Sequence, residues 1–326
     1  MKIYISTIPF GEINTLPIEQ LNNYGIQYRI NPFRRKITTN ELSDEIQDSE
    51  VLIAGTEIID KTVFDKAPNL KLIARVGIGL DGVDLLEARR RNIAVTYTPE
   101  APGPAVVELT LGLILDQLRG ITQANQSIKD GHWKRIQGRR LSEVKIGVVG
   151  AGRIGGRLIR RLGSLGTPQI FANDLKPNDQ IAPNVKINWV SKERILQECD
   201  LITFHLPLTQ ITENLICYET LKLLKSNAIL INTARGGIIN ESDLVRWLQE
   251  NETASAAIDV FLDEPYFGPL TEIKNCTLTC HMGSMTEDCR ARMEIEATTE
   301  VINFALNKDF IQPVPNFEYE MKPQYA

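Results

Sequence analysis

The sequence predicts an α/β protein of two domains, each built on a parallel sheet. Three observations carry that expectation. Short β-branched and aliphatic runs alternate with amphipathic stretches, the pattern of strand–helix–strand units. A second strand-rich series opens afresh at VKIGVVG, residues 144–150, after a proline-punctuated break. At 326 residues the chain has room for two cores.

The elements follow in order. KIYIS, VLIAG, KLIARVG and NIAVTYT read as strands of the first third, with amphipathic pieces over residues 39–47 and 60–67. Pro99, Pro102 and Pro104 then precede a helical run over residues 105–119, read as a linker into the second domain. The strands after VKIGVVG are expected at QIFAND, DLITFH, AILINT, ASAAIDV and CTLTCH. A last amphipathic helix, residues 286–306, is long enough to cross back to the first domain. The tail after Asp309 reads as an extended strap, and residues 130–133 as an exposed loop or arm.

Composition narrows the function classes. With 43% hydrophobic and 24% charged residues the chain is ordinary for a soluble globular protein. A net charge of -5 offers no general basic field for nucleic acid or anionic lipid, so any anion site must be local. No segment approaches the roughly 18 apolar residues of a membrane span. MKIYISTIPF reads as a first strand and not as a signal peptide. Five scattered cysteines give no disulfide framework, and the cytoplasm is expected. Cys276, Cys280 and Cys289 around His281 lack tight metal-ligand spacing, so no metal is assigned.

VKIGVVGAGRIGGRL places Gly150, Gly152 and Gly155 in a GxGxxG pattern between an apolar strand and a helix. The first glycine permits a tight turn, the second lets backbone approach a pyrophosphate, and the third lets helix and strand pack closely. The helix N-terminus supplies N–H groups and partial positive charge. Asp174 closes the next strand about 20 residues on, where a carboxylate can bond ribose hydroxyls and repel a 2′-phosphate. NAD is therefore expected over NADP. The fold class becomes two Rossmann-like domains with an active-site cleft between them. Residues 1–99 with 287–326 would form a flavodoxin-like substrate-binding domain, and residues 100–286 the NAD-binding domain.

Among three histidines, His132 sits in a polar loop and His205 follows a strand of the nucleotide domain, where packing is expected. His281 follows TLTC at a strand end and is the best acid/base candidate. Asp259 and Glu264 in AIDVFLDEP offer a carboxylate that would raise its pKa and fix its tautomer. Arg235, directly after INTA and before two glycines, can grip a substrate carboxylate bidentately and polarise the adjacent carbonyl.

NTARGGIIN, DVFLDEP and HMGSMTEDCRAR, with RVGIGLDGVDL and GAGRIG, resemble the ordered signatures of the D-isomer-specific 2-hydroxyacid dehydrogenases. The resemblance covers nearly the whole chain and is nearest to the D-3-phosphoglycerate dehydrogenases. It implies a catalytic triad of Arg235, Glu264 and His281. It implies coenzyme contacts from Thr98, Arg153, Ile154, Leu206, Pro207, Ala234, Asp259 and Gly283 beside the glycines and Asp174. Backbone N–H groups of the loop Arg75-Val76-Gly77-Ile78-Gly79, those of Val76 and Gly77 above all, would meet the substrate carboxylate. Arg75 and Arg135, the latter within GHWKR, would hold a substrate phosphate. A homodimer is implied, with the linker helix and the arm over residues 121–140 at its interface.

This sequence departs from the pattern in places. LDGVD, APGPAVVE and HMGSMT differ from the phosphoglycerate enzymes, and the last is nearer to glyoxylate and hydroxypyruvate reductases. The expected substrate is 3-phosphoglycerate/3-phosphohydroxypyruvate or a similar anionic acid, with glyoxylate or hydroxypyruvate as the alternative. The chain stops at Ala326, so the C-terminal regulatory domain of longer members is expected to be missing. A YxxxK match at Tyr218 and Lys222 follows the glycine loop too closely for a short-chain dehydrogenase and reads as a helix face. A regulatory, NAD(H)-sensing corepressor of the same family is the reading from another class. NADH binding without turnover would mark it.

Overall fold

Five short parallel strands make the first sheet: β1 (Lys2–Ile5), β2 (Gln27–Ile30), β3 (Val51–Ala54), β4 (Leu72–Arg75) and β5 (Ala94–Thr96). This computed structural model describes residues 1–166 and 168–320. The strand order β2-β1-β3-β4-β5 is that of flavodoxin-type sheets. VLIA and LIAR are buried along their whole length, as central parallel strands covered on both faces must be. β2, QYRI, is an edge strand with only one half-buried position. It carries no apolar run, which is why the sequence did not announce it.

Helix Glu287–Ala305 belongs to this unit and packs on β3, β4 and helix Leu16–Asn23. Arg290 and Glu294 are buried on it as an i,i+4 pair at 2.7 Å, and Gly11 N–H donates to Glu294 at 2.8 Å. The chain then runs beside β5, with Val314 N–H donating to Val95 O at 3.0 Å, as an extended strap should. A short helix follows at Asn316–Glu320. The last part of the expected strap lies outside the described residues.

The second sheet has seven parallel strands: β6 (Lys145–Val149), β7 (Gln169–Asn173), β8 (Ile187–Trp189), β9 (Leu201–Phe204), β10 (Ile229–Asn232), β11 (Ser255–Ile258) and β12 (Cys276–Leu278). Their order is β12-β11-β10-β9-β6-β7-β8. From β6 the chain steps outward to β8, then returns beside β6 at β9 and steps the other way. The reversal leaves a switch point between β6 and β9, where doubly wound sheets bind ligands. Side chains alternate between two cores: Leu230 enters one, Ile229 and Ile231 the other. Helix Gly103–Arg119 packs on helix Arg153–Ser164 and on β10 and β11. β8, three half-buried residues at the edge, was also missed from sequence.

The two compact units are Met1–Pro102 with the described part of Met285–Ala326, and Gly103–Ser284. Among the described residues no helix is long and apolar enough to cross a membrane.

Candidate active site

β10, β11 and β12 are neighbours, so the loops leaving their C-terminal ends are neighbours too. Asn232 ends β10 and organises the first loop. Its buried side chain accepts from Ala234 N–H at 3.1 Å and donates to Arg235 O at 2.8 Å. Arg235 follows half-buried, one guanidinium nitrogen donating to Ala234 O at 2.6 Å. A Cβ on Gly236 would stand 2.0 Å from the Phe261 carbonyl, so glycine is required for this loop to lie against the next.

Asp259 follows β11 and is 1% exposed. Its carboxylate accepts from Thr279 Oγ1 at 2.6 Å, Met282 N–H at 2.9 Å and Gly283 N–H at 3.1 Å. Its backbone accepts from His281 N–H at 2.7 Å, and its own N–H donates to Asn232 O at 2.9 Å. Asp259 therefore ties the Arg235 loop to the His281 loop. Sequence reasoning missed Asn232 and Thr279 as builders. Their signal was a polar residue closing an otherwise apolar strand.

His281 has a φ of +51°, in the left-handed region that a non-glycine residue occupies at a cost of about 1–3 kcal/mol. The bonds to Asp259 hold it there. Its Nδ1 lies 2.8 Å from Glu264 Oε2 and 3.0 Å from Oε1. An ionised carboxylate only accepts, so Nδ1 carries the hydrogen and Nε2 is left as the atom that gains or loses a proton. Glu264 is itself oriented, accepting from Phe261 N–H at 3.1 Å. Arg235, Glu264 and His281 thus stand on three adjacent loops of one sheet end.

The glycine loop follows β6. Gly150 has φ +90°, and a Cβ there would meet the His205 carbonyl oxygen at 2.4 Å. A Cβ on Gly155 would meet Gly150 O at 1.9 Å, the close helix-to-strand approach the motif predicts. Gly152 opens helix Arg153–Ser164 with no side-chain cap, and nothing lies within 4 Å of where its Cβ would be. The result is an open, backbone-lined cradle at a helix N-terminus. Asp174 accepts from Ala151 N–H at 2.8 Å and Lys176 N–H at 2.9 Å, which fixes its carboxylate beside that cradle. These residues fit a dinucleotide. Arg153 and Pro207 are exposed, Ile154 and Leu206 half-buried, and Ala234 and Gly283 buried.

His205 packs behind Gly150. Its Nε2 is 3.0 Å from Thr203 Oγ1, and burial pushes the imidazole down to about 3, so it stays neutral. His132 and Arg135 are exposed in the arm. Tyr218 donates to Glu250 at 2.7 Å under the Arg246 guanidinium, a surface arrangement on a short helix.

In the first unit, Val76 N–H continues the ladder to Ala54 O at 2.9 Å, and Gly77 N–H donates to Thr98 Oγ1 at 2.8 Å. Both donors are engaged within this unit, Val76 by β3 and Gly77 by the Thr98 side chain. Thr98 N–H returns a bond to Gly77 O at 3.1 Å, so Thr98 clamps this loop. Arg75 is 8% exposed and donates to Val76 O, with its guanidinium under Gly77.

The NAD-binding-domain pattern of the D-isomer specific 2-hydroxyacid dehydrogenases matches residues 111–283. A D-3-phosphoglycerate dehydrogenase of Methanocaldococcus jannaschii is 37% identical over 260 residues, 78% of this chain and 49% of that protein. This chain therefore spans about half that relative's length. A glyoxylate reductase of Thermococcus litoralis is 34% identical over 294 residues, 84% of this chain and 88% of that protein. The NAD+-bound 3-phosphoglycerate dehydrogenase of Entamoeba histolytica superposes with a TM-score of 0.79 at 26% identity, covering 97% of this chain and 99% of that one. With its glycine cradle, its acid-tipped second strand and its Arg/Glu/His loops in order, the chain belongs to the D-isomer-specific 2-hydroxyacid dehydrogenase family of NAD-dependent oxidoreductases.

Proposed function

We propose that this enzyme reduces a short 2-oxo acid to the D-2-hydroxy acid, and oxidises it in reverse, with Arg235, Glu264 and His281 as the working residues. The observation that carries the reading is the 2.8 Å contact of His281 Nδ1 with Glu264, on the loop next to Arg235. The Arg235 guanidinium binds the substrate carboxylate and draws electron density from the adjacent carbonyl. NADH, its diphosphate held by the glycine cradle, would supply the hydride. His281 Nε2–H donates a proton to the carbonyl oxygen, and in the oxidative direction accepts it back. Glu264 stabilises the imidazolium and keeps the Nδ1–H tautomer. Asp174 selects NAD, accepting from ribose hydroxyls where a 2′-phosphate would be repelled.

The substrate we favour is small and carries one carboxylate, such as glyoxylate or hydroxypyruvate. Arg75 supports this, because a phosphate ligand needs an outward guanidinium and this one is buried in its own loop. The phosphorylated alternative, 3-phosphohydroxypyruvate, is supported by Arg135, exposed on the arm, and by the 37% identical archaeal relative. Homodimerisation belongs to this reading, resting on an arm that exposes Ile121, Ile128 and Trp133, the last at 84%. A cytoplasmic setting rests on five free cysteines. NADH oxidation with glyoxylate, hydroxypyruvate, 3-phosphohydroxypyruvate and pyruvate tests the assignment. A preference for the phosphorylated acid would reverse our choice, and NADH binding with no turnover of any 2-oxo acid would favour a regulatory role.

A further inference from the structure

Glu241 opens helix Glu241–Glu250, capped by Asn240, whose side chain accepts from Asp243 N–H at 3.0 Å. Its carboxylate does not stay on the helix. Oε1 reaches across and accepts from Leu262 N–H at 2.8 Å. The preceding amide, Phe261 N–H, donates to Glu264 Oε1 at 3.1 Å. Two consecutive N–H groups of one turn are thus held by two different carboxylates, Glu241 from outside and Glu264 from within. The same turn is pressed from a third side by Gly236, where even a methyl group would strike Phe261.

We propose that Glu241 is a positioning residue for the Glu264–His281 pair, fixing from outside the turn that carries Glu264. The inference rests on the assignment of His281 as the proton donor. Glu241 is half-buried, and desolvation, reinforced by the Asp263 and Glu264 carboxylates, holds its carboxyl above the usual range against the Leu262 bond.

Amide exchange without substrate separates the proposal from the assignment it rests on. Glu241→Ala removes the acceptor for Leu262 N–H, and Glu241→Gln restores an acceptor of nearly the same reach. Exchange of the Leu262 and Phe261 amide hydrogens, followed by NMR, should speed up several-fold in Glu241→Ala and return towards the parent rate in Glu241→Gln. In the same order kcat for the preferred 2-oxo acid should drop several-fold and recover, with KM for NADH unchanged. Parent-like exchange or full kcat in Glu241→Ala overturns the proposal, as does a Glu241→Gln enzyme as slow as Glu241→Ala. If the parent protein turns over no 2-oxo acid, the functional assignment fails, and the amide exchange still judges Glu241.

Discussion

The backbone of His281 donates to the carbonyl of Asp259 at 2.7 Å, while the Asp259 carboxylate accepts from the two N–H groups that follow His281. One buried aspartate thereby specifies both the position and the unusual backbone conformation of His281, the proposed acid/base residue. Asp259→Asn offers one acceptor where three donors converge, and its own NH2 would face a donor. We expect a loss of about 1–3 kcal/mol in unfolding free energy, read by urea denaturation, with kcat reduced beyond tenfold. Unchanged stability and rate would show that other contacts hold the loop.

His281→Ala should lower kcat by about 10²–10⁴, the usual worth of a general acid, with NADH affinity by fluorescence titration nearly intact. Glu264→Gln keeps an acceptor for Nδ1–H but not the charge that stabilises the imidazolium. Its kcat should fall less, and the basic limb of its pH–rate profile should move to lower pH. Parent-like turnover in His281→Ala would remove the residue from proton transfer.

Beside its proposed part in coenzyme choice, Asp174 holds the Ala151 N–H, which belongs to the glycine cradle. Asp174→Ala should cut the NADH/NADPH ratio of kcat/KM at least tenfold, and should also weaken NADH binding as the loop loses an anchor. Retained selectivity would place coenzyme choice elsewhere.

His205 gives a pH signature in stability. Burial lowers its folded-state value to about 3 from 6.5, so the native state excludes a proton that the unfolded chain takes up. That contribution is fully present above pH 6.5 and declines as pH falls towards 3, by about 1.4 kcal/mol per pH unit at most. In His205→Gln, stability measured by urea should fall less between pH 7 and pH 5 than in the parent. Parallel curves would mean that His205 is solvated or paired.

Much of this was legible in the sequence because parallel strands buried on both faces must be apolar runs. VKIGVV, LITF and ILIN could be read for that reason, and their C-terminal ends pointed to Gly150, His205 and Arg235. The edge strands QYRI and INW were hidden because an edge asks for no such run. The roles of Asn232 and Thr279 were hidden too, since a short polar side chain says nothing of what it will bond until two loops meet. The partners of the Val76 and Gly77 N–H groups were hidden for a related reason. A glycine-rich loop signals free backbone, but Ala54 and Thr98 had already claimed it.

The strand order sets a division of labour along the second sheet. Asp174 leaves β7 and His281 leaves β12, five strand spacings apart in β12-β11-β10-β9-β6-β7-β8, or roughly 24 Å. On the roles proposed above, adenosine choice sits at one end of this ruler and proton transfer at the other, with the glycine cradle between them. Substitutions in the loops after β10, β11 and β12 should then retune the acid being reduced without disturbing which coenzyme is read, so that an engineer would treat the two as independent dials.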